Sequence, residues 1–242
     1  MKHISIMAHL VAGYPSREGW YEAARALADA GIEILEIQIP FSDPTADGPV
    51  ITEASEQALR SGFKVRDIGA YIAEGLRLGF REVHVMTYAN IVHRWGVGSY
   101  LQYMKDAGVT GVIVPDFPLE DDDGFYSQAA DLGIDALPVA VSNMADHRLE
   151  LLNAMEPRRV YAALRQGVTG RATDITADSL AFLSRIRSPY LYAGFGICRS
   201  SQVESLRGHV HAAVIGSHIT RALTRGEDIY REVRGAVEQC IP

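Results

Sequence analysis

The chain has 242 residues, 48% hydrophobic and 22% charged, the balance of an ordinary globular protein with a sizeable core. A formal net charge of -7 and a pI near 5.6 exclude the basic footprint of a nucleic-acid or anionic-membrane binder. Cys198 and Cys240 make no disulfide framework and fit a reducing cytoplasm. The apolar run at the N-terminus is too short for a signal peptide, and no stretch is long enough to span a bilayer.

In chain order, short apolar strands alternate with amphipathic helical stretches. Strands are predicted over 4–11, 33–39, 83–88, 111–115, 136–141, 159–164, 190–193 and 212–215. Helices are predicted over 17–30, 52–60, 65–78, 98–107, 121–132, 146–155, 177–186 and 200–206, with a helical tail from Ile219. Gly31, Gly108 and Gly133 each supply the left-handed turn that ends a helix before the next buried strand. Eight strand–helix units without a hairpin signal imply a parallel sheet. In this length they favour a (β/α)8 TIM barrel as one domain over residues 1–242, with an open doubly wound sheet as the alternative.

The second strand carries an anomaly. Side chains alternate along a strand, so Leu35, Ile37 and Ile39 share one face while Ile34, Glu36 and Gln38 share the other. Burying a carboxylate costs several kcal/mol unless something compensates. Glu36 is therefore either a core anion paired with Lys or Arg, or a functional acid. The loop that follows adds Asp43 and Asp47, stiffened by Pro44 and Pro49. In a barrel, catalytic groups gather where strands end and loops begin, and Glu36 and Asp47 both fall there.

Glycine-rich turns follow the last three strands: Gly167-Val168-Thr169-Gly170, Gly194-Phe195-Gly196-Ile197 and Gly216-Ser217. Glycine lets backbone N–H groups approach an anion, and the turns after strands seven and eight are the usual phosphate site of this fold. Each turn alone is also a common structural turn; three at adjacent strand ends point to a phosphate. No P-loop, dinucleotide fingerprint or metal-ligand spacing appears, and the eight histidines are scattered, so they read as surface or packed residues.

The run Leu35-Glu36 through Pro40-Phe41-Ser42-Asp43-Pro44-Thr45-Ala46-Asp47-Gly48 resembles the signature of the tryptophan synthase alpha chain family. Thr87-Tyr88-Ala89-Asn90 and the three glycine turns follow in the family's order, so the resemblance covers nearly the whole chain. It implies a (β/α)8 barrel, a lyase that cleaves indole-3-glycerol phosphate to indole and glyceraldehyde 3-phosphate in tryptophan biosynthesis. It also implies a PLP-dependent beta chain as partner in an alpha-beta-beta-alpha complex, with no metal or organic cofactor in this chain.

By the same resemblance Glu36 matches the general acid/base and Asp47 the acid that holds the indole N–H. Tyr161 matches the tyrosine beside the catalytic glutamate. Gly170, Gly194, Gly196, Gly216 and Ser217 match the phosphate cradle, and His9, Gln38, Tyr88 and Phe195 the substrate pocket. An apolar wall should raise the pKa of Glu36, while Asp47, nearer solvent, should stay ionised and act electrostatically.

The chain departs from the family pattern at several pocket positions. Gln38 stands where the family generally has Gly, and either donates to Glu36 or fills part of the indole pocket. His9 replaces an aromatic residue, Val11 often a Thr, and Pro115 a small residue; Ala12-Gly13-Tyr14-Pro15 replaces the commoner Gly-Asp-Pro. A stand-alone lyase on this or a related glycerol phosphate, and a weakly catalytic subunit that activates a beta chain, are the competing readings. A phosphosugar isomerase is more remote.

Overall fold

The structure, a computed structural model, describes residues 4–164, 174–194, 196–224 and 228–241. Nine strands form one all-parallel sheet: β1 (Ser5–Val11), β2 (Ile34–Gln38), β3 (Glu82–Met86), β4 (Gly111–Ile113), β5 (Asp135–Leu137), β6 (Val139–Val141), β7 (Arg159–Ala163), β8 (Tyr190–Gly194) and β9 (Ala212–Ile215). Their spatial order is β5-β4-β3-β2-β1-β9-β8-β7-β6. The two ends of that order are halves of one run divided by Pro138. Proline has no N–H to give the ladder, so regular pairing stops there. The first half pairs with β4 and the second with β7, and the Pro138 carbonyl accepts from Tyr161 N at 3.0 Å. The sheet therefore closes through this one stave. The eight predicted strands are eight staves of a (β/α)8 barrel, the fifth of them split.

Around the barrel lie α1 (Arg17–Asp29), α2 (Pro49–Arg60), α3 (Ile68–Arg77), α4 (Ala89–Trp95), α5 (Val97–Asp106), α6 (Phe125–Leu132), α7 (Asp146–Ala154), α8 (Ala177–Ser184), α9 (Ser200–Leu206), α10 (Ser217–Leu223) and α11 (Ile229–Glu238). Gly31, Gly108 and Gly133 do take positive φ at the ends of α1, α5 and α6. The helices differ from the sequence reading in five main places, one being that the predicted 65–78 helix opens with a separate 3-10 turn over Val65–Asp67 before α3. Pro49 starts α2 three residues early, where its missing N–H costs nothing. The acidic stretch before α6 is a turn: the Asp122 carboxylate accepts from Gly124 N and Tyr126 N and delays the helix to Phe125. The short α4 was not anticipated, its seven residues being too few to show a period. The tail is two helices, α10 and α11, rather than one.

Strand alternation sorts the core into two. Outward residues such as Leu35, Ile37, Val83, Val85, Val112 and Ile215 pack under the helices. Gly75 on α3 lets that helix come close, since a Cβ there would stand 3.1 Å from Leu35 Cδ2. Inward residues, among them Met7, Ile34, Met86, Ile113, Leu137 and Val214, fill the middle of the barrel. Below them a polar plug closes the N-terminal end. Glu82 Oε2 accepts from Tyr192 Oη at 2.6 Å and from His84 Nε2 at 3.2 Å, with Arg159 Nε at 3.5 Å. Arg159 also bonds Asp135 and lies 4.9 Å from the Tyr190 ring centroid. Above the apolar layer, at the C-terminal end, the barrel opens. Among the described residues no helix is long and apolar enough to cross a membrane.

Candidate active site

The register places the inward residues of neighbouring strands side by side. His9 on β1 is the partner of Glu36 on β2, and Gln38 lies one step further toward the C-terminal end. All three line a cavity of ≈ 230 Å³ in the barrel mouth, together with Asp47 and Tyr161. Its apolar walls come from Ile51, Met86, Ile113, Pro115, Val139, Val141 and Val214, which suit a flat ring.

Asp47 reaches the cavity on the loop after β2, which is fixed from below. Phe41 stacks on Tyr88 with ring centroids 5.3 Å apart, and Ala46 N donates to Tyr88 Oη at 3.3 Å. Tyr88 is fully buried and does not line the cavity itself; its hydroxyl donates to Asp47 Oδ2 at 2.9 Å. Gln38 Nε2 donates to the same oxygen at 2.7 Å, while Gln38 Oε1 lies 2.7 Å from His9 Nε2. Of the two roles left open for Gln38, donation to Glu36 is therefore overturned: its amide is committed to Asp47 and His9.

Glu36 is 3% exposed, and among the described residues its Oε2 has no hydrogen-bond partner. Among the described residues no cation pairs with it, which removes the core ion-pair reading; that role belongs to Glu82 at the other end. Burial, and secondarily the charge of Asp47, push the Glu36 carboxyl up to about 8. Asp47 is less enclosed, as expected, yet burial raises it too, to about 6, against the lowering hydrogen bonds of Gln38 and Tyr88. At neutral pH one carboxyl holds its proton while its neighbour has largely lost it. Tyr161 is raised well above its ordinary range, by burial and then by the nearby carboxylates, and stays a neutral phenol.

Of the residues expected to hold a phosphate, Gly196, Gly216 and Ser217 line the cavity. Gly194 lies outside its lining, against the tyrosine: a Cβ there would stand 2.5 Å from Tyr161 Oη. Gly170 and Phe195 lie outside the described residues. Asn143, after β6, also lines the cavity and was not anticipated, because nothing in the sequence around it distinguishes it from a turn residue.

The family model for the tryptophan synthase alpha chain matches residues 2–240. The tryptophan synthase alpha chain of Syntrophotalea carbinolica is 33% identical over 231 residues, covering 93% of this chain and 90% of that protein. That of Methanopyrus kandleri is 34% identical over 232 residues, covering 93% and 82%. Among solved structures, the mutually activating tryptophan synthase a2b2 complex of Pyrococcus furiosus superposes with a TM-score of 0.88 at 29% identity, covering 99% of this chain and 98% of that one. Mycobacterium tuberculosis tryptophan synthase superposes with a TM-score of 0.88 at 28% identity, covering 98% and 91%. With the barrel and the Glu36–Asp47 loop in place, these matches have one meaning: the chain belongs to the tryptophan synthase alpha chain family.

Proposed function

We propose that the chain is the lyase subunit of a tryptophan synthase, cleaving indole-3-glycerol phosphate to indole and glyceraldehyde 3-phosphate. The observation that carries this reading is the Glu36–Asp47 pair: one unpartnered carboxyl raised to about 8 beside a second held near 6, in an otherwise apolar cavity. In the bond-breaking sequence Glu36 gives its proton to the ring carbon that bears the side chain. Asp47 takes the ring N–H as a hydrogen-bond donor and stabilises the positive charge that develops there. The carbon–carbon electron pair then returns to the ring, the adjacent hydroxyl becomes an aldehyde, and its proton passes to Glu36, which is restored. Tyr161 stands by as a neutral phenol, and no proton is consumed overall. Backbone N–H groups around Gly170, Gly194, Gly196, Gly216 and Ser217 are assigned to the phosphate.

The partner is a tryptophan synthase beta chain in an alpha-beta-beta-alpha complex, and the compartment is the cytoplasm. Support comes from the a2b2 assembly of the Pyrococcus furiosus relative and the two free cysteines. The test is an indole-release assay on the purified chain, with and without a matched beta chain. Release that rises with the beta chain supports the reading. Equal release in both supports a stand-alone lyase, and none in either supports a non-catalytic subunit.

A further inference from the structure

The His9–Gln38–Asp47 chain has a direction, set by the carboxylate. An ionised carboxylate only accepts, so the Gln38 amide must present Nε2 to Asp47 and Oε1 to His9. A carbonyl oxygen also only accepts, so His9 Nε2 must carry a hydrogen. The imidazole is uncharged, because burial, opposed only by the Gln38 contact, brings it down to about 4. Its proton is therefore on Nε2, and Nδ1 is a bare lone pair. That atom is buried and has no partner among the described residues, on a side chain only 7% exposed that lines the cavity. A buried acceptor without a donor costs free energy until a ligand supplies one. Gly216 lies against this edge of the ring, and its lack of a side chain avoids crowding it: a Cβ there would stand 3.2 Å from Nδ1 and 3.4 Å from His9 Cβ and Cγ.

Resting on the lyase reading, we propose that His9 Nδ1 accepts a hydrogen bond from a chain hydroxyl of the bound glycerol phosphate. Gln38 is the positioning residue that pins the tautomer and ties this contact to Asp47. The substrate's donors select the partner. Its ring N–H is taken by Asp47, its phosphate offers only acceptors when ionised, and the hydroxyls remain. The site thus reads the hydroxylated chain as well as the ring, through residues on β1 and β2.

The test compares two ligands on chains carrying Glu36→Gln to stop turnover: indole-3-glycerol phosphate, and indole-3-propanol phosphate, the same skeleton without the free hydroxyls. His9→Phe keeps an aromatic ring and removes the acceptor. His9→Gln keeps a group that reaches Gln38 but places nothing at Nδ1. Both are expected to weaken the hydroxylated ligand by about 3- to 10-fold, the net value of one neutral hydrogen bond, and to leave the propanol ligand unchanged. His9→Asn, whose amide oxygen falls near the Nδ1 position, is expected to restore most of the difference. Gln38→Met, measured with Glu36 intact, is expected to move the acidic limb of kcat/KM upward, since Asp47 loses a donor. Equal losses for both ligands, no loss for either, or an unmoved acidic limb would overturn the proposal. Absence of lyase turnover in the unmodified chain with its beta chain overturns the lyase reading and this inference with it; intact turnover with equal ligand losses overturns the role of His9 alone.

Discussion

Gln38 donates its amide to Asp47 across 2.7 Å and gives nothing to Glu36, its neighbour two residues back on the same face of β2. Both known donors to Asp47, Gln38 and Tyr88, fall on Oδ2, which leaves Oδ1 for a ring N–H. Glu36 keeps its proton because burial, and then the neighbouring charge of Asp47, disfavour its anion, and no donor among the described residues offsets them.

Glu36→Gln preserves size but removes the titrating proton. Lyase turnover is expected to fall ~10²–10⁴-fold, the general acid–base contribution, and further if one carboxyl makes both transfers. Steady-state indole release measures it; unchanged turnover would remove the chemistry from this strand.

The same substitution should stabilise the fold. Glu36 titrates near 4.5 when unfolded and near 8 in the native cavity. Between those values the unfolded chain has released a proton that the native chain retains, so stability falls as pH rises. Gln has no such proton, so the variant is expected to be more stable at pH 7 by ~1–3 kcal/mol, an advantage that fades toward pH 4.5. Urea unfolding at pH 5 and pH 8 checks the sign; a difference independent of pH contradicts it.

The pH profile of kcat/KM should be a bell. On the proposed mechanism the productive form has Asp47 ionised and Glu36 protonated, so activity is expected to rise through about 6 and fall through about 8. Asp47→Asn should remove the acidic limb and, by deleting a like charge, bring the alkaline limb down. Its cost in turnover is expected to be on the order of 10²–10³-fold. A profile whose two limbs survive the substitution would show that Asp47 sets neither.

Gly194→Ala tests the seat of Tyr161. The new methyl would lie 2.5 Å from Tyr161 Oη and 3.1 Å from Val214 Cβ, so the phenol must swing away. The fold is expected to lose ~1–3 kcal/mol, typical of overpacking, and turnover to fall along with it. Thermal unfolding and kinetics together separate the two effects; full activity would show that the position of Tyr161 is not critical.

Asp43 stands exposed on the loop between β2 and α2, which we take as the contact for the proposed beta chain. Asp43→Ala is expected to weaken beta-chain binding by up to ~1 kcal/mol, about fivefold, and to reduce activation without altering the isolated chain. Titration calorimetry and coupled kinetics check this; unchanged affinity would place the contact elsewhere.

Much of the architecture was legible because it rests on short-range rules. Alternating strands and helices, helix-ending glycines such as Gly133 and the absence of hairpins imply a parallel sheet, and the count of eight units favours its closure; the break at Pro138 inside the predicted 136–141 strand was not anticipated. The Glu36-to-Asp47 run could be read as a site because a carboxylate inside an apolar strand needs a reason. Its counterpart could not. Glu82 falls one residue outside the predicted 83–88 strand, yet it starts β3, facing into the barrel, where Arg159, Tyr192 and His84 hold it as an ion.

What the sequence by itself determined, then, was the alternation of faces and the presence of two acids at one strand end. The tertiary structure decided which acid keeps its proton, because that depends on how deeply each is buried and on the donors that reach Asp47, Gln38 from nine residues away and Tyr88 from 41. Desolvation and hydrogen bonding act through space, and only the closed barrel sets those distances.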